Sequence, residues 1–373
     1  MIKYIPIIKT GESELRALAN IDNSVKDFIT PLFEITRGRR LPKSSESFID
    51  KKIDFLSSNF YNTLFILDLT SDKTLSNNEI EQLHSSKENY QNWISFCINN
   101  KNNFGSFYPV IQIEEEDDYN KYISKLYEQV KALTKEFDFI VFRSQNESEA
   151  MDLITDIKEL LDKDINNDYC ISEKIIYVLD YKYVKDINKC INTAKVFIKA
   201  LNTLGIKNIV ISSTSFPSNV SEYMAEVDNI DFDIKEIELY KILYKDINTS
   251  GINLIYSDYA SINPIRNDNI YARGWIPRID VPSNDKKIYC SRKRRDKATN
   301  ESYAKVYAQI AKQIVTCKYF TNLFIEQIIS WGHFEVTNAA EDNVGGATPS
   351  FWISTRMSMY LKLMSVKLFD FLK

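Results

Sequence analysis

Residues 174–213 read KIIYVLDYKYVKDINKCINTAKVFIKALNTLGIKNIVISS, and this stretch decides the fold. Its first run, 174–181, is rich in β-branched and aromatic residues and too short for a helix, so it reads as a buried strand. An amphipathic stretch over 184–204 follows, and Gly205 ends it as a helix C-cap. A second buried run, 207–213, completes a strand–helix–strand unit. Strands apolar on both faces belong to parallel sheets covered by helices.

The same alternation extends in both directions. Six more short runs read as strands, at 3–9, 30–36, 63–70, 108–114, 137–144 and 253–259. Helical stretches separate them at 12–28, 45–59, 78–100, 118–136, 147–163 and 231–249. Eight strand–helix alternations predict an α/β fold, a (β/α)8 TIM-like barrel, which takes roughly 250 residues. No Gly-x-Gly-x-x-Gly follows any strand, so a dinucleotide-binding open sheet lacks its fingerprint. The eighth helix, 348–372, is delayed by a long α+β insertion between strand 8 and helix 8. A hairpin is expected there at 272–280 and 287–292 around Pro282–Asp285, with helices at 302–315 and 320–331. The expected organisation is a barrel body over 1–258, a cap or lid over 259–347 and the final barrel helix over 348–373. A βα loop leaves a barrel at its C-terminal mouth, where active sites sit.

The composition, 44% hydrophobic and 26% charged, is that of a globular chain. The five cysteines, Cys97, Cys170, Cys190, Cys290 and Cys317, are widely spaced and odd in number, which argues against a disulfide framework and a thiolate zinc site. No apolar run is long enough to span a bilayer. A cytoplasmic protein with no membrane association is expected. The net charge is −4, yet basic residues gather after position 258 while the barrel body is acidic. That asymmetry fits either attraction between the two parts or an anionic partner for the basic one.

Candidate chemistry lies at the strand ends. Lys9, Glu34, Asp68, Asp180 and Asp258 are the candidate catalytic residues. The four carboxylates can converge to bind a hard cation such as Mg²⁺, or split into acid and base. Lys9 can supply a counter-charge, a nucleophile or a phosphate ligand. The two histidines, His84 and His333, lie on no strand end, so a Ser-His-Asp triad is not supported. Candidate ligand-binding residues are Arg37, Arg39, Arg40, Arg143, Tyr259, Arg273, Trp275, Arg292, Arg294 and Arg295. Arginine forks match phosphate oxygens and aromatics can stack on bases. No Walker or RNA-binding motif accompanies them. The start of the last helix is a further place for an anion if its N–H groups face the mouth.

Four segments carry a resemblance: YIPIIKTGESELRAL (4–18), ITPLFEI (29–35), SDYASINP (257–264) and TPSFW (348–352). With them the chain resembles the beta-protein family of bacteria and phages. The resemblance implies a barrel with a Lys ending strand one, a Glu near the end of strand two and an Asp-Tyr ending strand eight, here Lys9, Glu34 and Asp258–Tyr259. It also implies a place among phage-defence genes and a protein partner encoded nearby. Related sequences carry a histidine pair after the Trp, whereas Arg356–Tyr360 here contains none. Two readings follow. One is a capped barrel of a defence system that recognises a nucleotide, a nucleic acid or a partner protein. The other is a metal-assisted hydrolase of phosphodiesterase type with a carboxylate-lined mouth.

Overall fold

The computed structural model describes residues 2–38, 48–164, 171–247, 251–265, 274–296 and 298–373. Eight parallel strands form where the apolar runs predict them. They are β1 (Tyr4–Lys9), β2 (Leu32–Ile35), β3 (Phe65–Leu69), β4 (Phe107–Pro109), β5 (Ile140–Ser144), β6 (Ile175–Tyr183), β7 (Asn208–Thr214) and β9 (Asn253–Asp258). A further strand, β8 (Asn229–Asp233), belongs to another sheet. The parallel strands lie in the order β4-β3-β2-β1-β9-β7-β6-β5. A parallel bridge from Val110 to Val141 joins the two ends, and the Ile111 N–H donates to the Val141 carbonyl at 2.8 Å, so the sheet closes into the barrel.

Period-two alternation divides the side chains between two layers. Ile5, Ile7, Leu32, Ile66, Val141 and Val178 fill the barrel interior. Their neighbours Tyr4, Ile8, Phe33, Leu67, Phe142 and Leu179 face the surrounding helices. Several helices are shorter than their apolar periodicity alone implies. The stretch 12–28 breaks into Glu12–Ala19 and Asn23–Lys26, and 78–100 breaks into Asn78–His84 and Gln91–Phe104. At the second break Glu88, Asn89 and Tyr90 adopt positive φ, which no helix continues through. Asp118 and Asp186 cap the next long helices by accepting backbone N–H groups. Among the described residues, no helix is long and apolar enough to cross a membrane.

The segment read as one helix over 231–249 is corrected. Its start is β8, and the helix runs only over Lys235–Ile247. The pattern Ile230, Phe232 has the spacing of a strand and was absorbed into the helical stretch beside it. In the cap, β10 (Arg278–Ser283) and β11 (Lys287–Arg292) form an antiparallel hairpin, and β8 pairs with the free edge of β11. The cap sheet therefore draws one strand from the β7–β9 connection. The cap helices are Tyr303–Ile314, Lys318–Ile325 and Trp331–Ala340, one more than expected. Gly332 lets the third of these lie directly on the long final helix, Pro349–Leu372: a Cβ there would stand 2.2 Å from the Thr355 carbonyl oxygen.

Candidate functional site

Four of the five candidate catalytic residues meet at the C-terminal end of the barrel, around a fifth group, Arg143. Glu34, Asp68, Arg143 and Asp180 all follow the inward-facing register of β2, β3, β5 and β6. The Arg143 Nη1 donates to Glu34 Oε2 at 3.1 Å and to Asp68 Oδ2 at 2.8 Å. Its Nη2 and Nε both reach Asp180 Oδ2, at 2.8 and 3.2 Å. Tyr259 adds a hydroxyl that donates to the same Asp180 oxygen at 2.5 Å. Lys9 stands at the edge, 3.6 Å from Glu34 Oε1 and 3.9 Å from Asp72, and donates to the Pro264 carbonyl at 3.1 Å. The remaining oxygens are also engaged. Thr70 donates to Glu34 Oε1, while the Leu69 and Lys182 N–H groups donate to Asp68 and Asp180.

The centre of this cluster is nearly buried, and a cavity of about 330 Å³ beside it is lined by Lys9, Glu34, Arg143 and Tyr259. The side chains of Arg143, Glu34, Asp68 and Asp180 are exposed by 2, 3, 6 and 0%. Burial pushes the Glu34 carboxyl up, but Arg143 and Lys9 together outweigh it and hold the group below its usual range. At Asp68, burial and the neighbouring Glu34 charge outweigh Arg143, and the carboxyl moves up. Surrounding carboxylates drive the Arg143 guanidinium further into its charged form. A Mg²⁺ ion does not fit these residues as they stand, because a guanidinium already occupies the point where the carboxylates converge and uses the oxygens a metal would need. Among the described residues, no cluster of histidine, cysteine and carboxylate side chains has a metal-binding arrangement.

Asp258, the fifth candidate, does not join them. It is fully buried in the opposite, helix-facing layer. There it accepts from the hydroxyls of Tyr4 at 2.5 Å, Tyr256 at 3.0 Å and Tyr360 at 2.7 Å, and from the Ala260 N–H at 2.8 Å. The reason is the alternation of β9: Ile255 and Tyr259 point inward, so Tyr256 and Asp258 point outward. Burial raises the Asp258 carboxyl. Close by, Glu236 is buried, its Oε2 accepting from the Ser215 hydroxyl at 2.6 Å and the Ser215 N–H at 3.0 Å.

Burial, with the charge of Asp258 adding to it, lifts Glu236 from 4.5 to about 7. A carboxyl raised on folding stabilises the native state fully below its unfolded value, and that contribution is lost as pH rises through its folded value. From this group, unfolding free energy should fall by up to about 3 kcal/mol between pH 4.5 and neutrality. Glu236→Gln should flatten that part of the profile. Urea titrations at pH 5 and pH 8 test it; an unchanged pH slope in the variant would show that Glu236 is not the group responsible.

The arginine candidates divide. Arg37 lies at the rim, its Nε donating to the Thr74 carbonyl at 3.1 Å. Arg39, Arg40 and Arg273 lie outside the described residues. Arg292 is corrected from a ligand-binding candidate to a structural group: it is buried, donates to the Met224 carbonyl and lies 3.4 Å from Asp228, tying the cap to the β7–β8 connection. Arg294 is exposed, and the Arg295 guanidinium lies over the Tyr303 ring at 4.8 Å. Trp275 stacks on Tyr303 with ring centroids 4.3 Å apart.

Between cap and barrel lies a cavity of about 570 Å³. Its floor is the end of β1 and the loop after β9, its walls are the loop Phe216–Ser221 and cap residues Trp275 and Tyr307, and the final helix closes one side. Lys9, Tyr259 and Trp275 of this cavity were sequence candidates, whereas Asp280, Trp352 and Arg356 were not. Asp280 of β10 binds Arg278 at 2.7 Å and Arg356 of the final helix at 2.5 Å. Arg356 and Trp352 are both 3% exposed, and among the described residues neither Arg356 Nε nor Trp352 Nε1 has a hydrogen-bond partner. Arg356 sits in the very stretch that lacks the histidine pair. The signal for it was the spacing Trp352-x-x-x-Arg356, which places both on one helix face.

The fold has distant likenesses among solved structures. The spore cortex-lytic enzyme SleL of Bacillus megaterium QM B1551 is 9% identical with a TM-score of 0.37, over 84% of this chain and 67% of that one. A psychrophilic family 10 endo-β-1,4-xylanase is 11% identical with a TM-score of 0.38, over 69% and 85%. In sequence, Protein beta of Enterobacteria phage P4 is 27% identical across 368 residues, 96% of this chain and 91% of that protein. The profile of the family described as Beta protein matches residues 4–365, and the chain therefore belongs to the Beta protein family.

Proposed function

We propose that this is a cytoplasmic binding protein whose capped barrel recognises a phosphate-containing ligand in the cavity between mouth and cap. The observation that carries this reading is the contrast between two neighbouring places. The carboxylates that a metal-assisted hydrolase would need are neutralised by one arginine and nearly buried, and only a smaller cavity of about 330 Å³ reaches Glu34. The adjoining cap cavity is open, large enough for a small ligand, and supplied with arginine and indole donors. Its walls come from the loops after the seventh and eighth barrel strands, which in such barrels frequently hold phosphate. A long nucleic acid is the weaker form of this reading, because Arg292 is spent inside the cap. The family resemblance supplies the setting, a phage-defence locus with a partner protein that would respond to the occupied barrel.

Thermal unfolding of the full chain tests this. Inorganic pyrophosphate and the four ribonucleoside monophosphates are added at about 100 times a micromolar dissociation constant, with magnesium chloride alone in parallel. Occupancy at that ratio stabilises by about 2.7 kcal/mol, so at least one phosphate probe should raise Tm by roughly 3–5 °C. Magnesium alone should do no more than sodium chloride of equal ionic strength. A saturable magnesium shift that Asp68→Asn abolishes would favour the hydrolase.

A further inference from the structure

Arg356 is under-served for a buried cation. It has one carboxylate, Asp280, and shares it with Arg278. Its guanidinium lies on the Phe216 ring at 4.4 Å, so one of its faces is closed and its edge is what remains for bonding. On that edge Nε, with less than 1 Å² of its own surface exposed, finds no acceptor among the described residues. One turn earlier on the same helix face, Trp352 presents Nε1 without an acceptor, its ring held by stacking on Tyr307 at 5.0 Å. Leaving either donor unmet in a buried site costs about 1–3 kcal/mol, and an anion would satisfy both at once. Burial moves the Arg356 guanidinium below its usual range even with Asp280 beside it, the behaviour of a cation short of negative charge.

Carboxylates also line the cavity: Glu14 lies near enough to Arg356 for the two charges to interact, without an ion pair between them among the described residues. Glu14 folds back over Gly11, where its Oε2 lies 2.4 Å from the place a Gly11 Cβ would take, and it accepts its own backbone N–H. Glu12 is exposed at the rim. The wall also contains four aromatic residues, Phe216, Tyr259, Trp275 and Tyr307, among aliphatic and small polar side chains. Phe216 and Tyr307 are already packed on Arg356 and Trp352, whereas Trp275 has one face stacked and the other left for a ligand, a face that a bare phosphate would not use. A ligand with a phosphate at one end and a flat heterocycle at the other uses both the donors and that face.

Resting on the reading of the cap cavity as a phosphate site, we infer that its ligand is a nucleoside phosphate. The phosphate takes hydrogen bonds from Arg356 Nε and Trp352 Nε1, and the base lies against Trp275. Trp275 is already stacked on Tyr303 on one side and so presents a rigid second face.

The test uses the full chain and follows tryptophan fluorescence and calorimetric heat. The four ribonucleoside monophosphates, their nucleosides and inorganic pyrophosphate are compared. At least one monophosphate should bind about ten-fold more tightly than both its nucleoside and pyrophosphate. Arg356→Met should lower that affinity by about 30-fold, the size of one charge-assisted interaction. Arg356→Lys keeps the charge for Asp280, guards against misfolding, and should still lose most of the affinity because it lacks Nε. Trp275→Phe should remove most of the fluorescence change. If folded Arg356→Lys binds as tightly as the wild type, the anion subsite is wrong. If pyrophosphate matches the best monophosphate, the nucleoside assignment falls while the phosphate reading stands. If none of the probes binds, both fall.

Discussion

Arg143→Met is expected to cost about 3–5 kcal/mol of folding stability at pH 8, the largest loss of any single substitution in the barrel mouth. Methionine fills much of the arginine's volume, so the loss is electrostatic. Glu34, Asp68 and Asp180 would be left as buried carboxylates with no cation between them, the closest of them having stood 2.8 Å from the guanidinium. Lys9, at 3.6 Å from Glu34 and partly exposed, serves only one of the three. The pH dependence has a definite sign. Without Arg143 the burial that pushes Glu34 and Asp68 up is no longer opposed by its charge, so the deficit is greatest at high pH and shrinks as acid protonates them. Urea unfolding at pH 5 and pH 8 should show the variant recovering toward the wild type at the lower pH. A variant within about 1 kcal/mol of wild type at pH 8 would mean that the cluster is not held by this guanidinium.

Asp258→Ala should cost about 4 kcal/mol, the second large effect. Four donors converge on this one carboxyl: the hydroxyls of Tyr4, Tyr256 and Tyr360 and the Ala260 N–H. They come from the first strand, the last strand, the final helix and the loop after β9, so the residue ties the barrel seam to the helix that closes it. Each donor left buried without an acceptor costs about 1–3 kcal/mol, and partial relaxation keeps the total below the sum. The Ala260 bond also supports a turn in which Ala260 and Ser261 adopt positive φ. Asp258→Asn keeps an acceptor oxygen and should lose about half as much. Calorimetric unfolding of the two variants checks the order; equal and small losses would show that the tyrosines find other partners.

The barrel was legible because its signal is local. Each strand is a short apolar run between amphipathic stretches, and closure follows from the count of eight. The convergence of Lys9, Glu34, Asp68 and Asp180 was legible from their strand-end register. Asp258 was misplaced because strand-end position was read without alternation, although Ile255 and Tyr256 carry that signal. Arg143, named only as a ligand-binding candidate, is the centre of the cluster, and no sequence pattern says that three distant acids share one guanidinium. The cap was less legible still. Its third strand comes from before residue 258, and β8 is too short and too polar to announce itself beside a helix. Asp280, Trp352 and Arg356 meet only through tertiary packing between β10 and the last helix.

Hydrogen exchange of the full chain, with and without a saturating ribonucleoside monophosphate, locates the bound ligand. Ligand in the cap cavity should slow exchange in peptides covering 216–221, 274–281 and 349–357, and leave those covering 66–70 and 178–182 unchanged. Protection confined to the strand ends around Asp68 and Asp180, with the cap unaffected, would place the ligand on the carboxylate cluster and contradict the account.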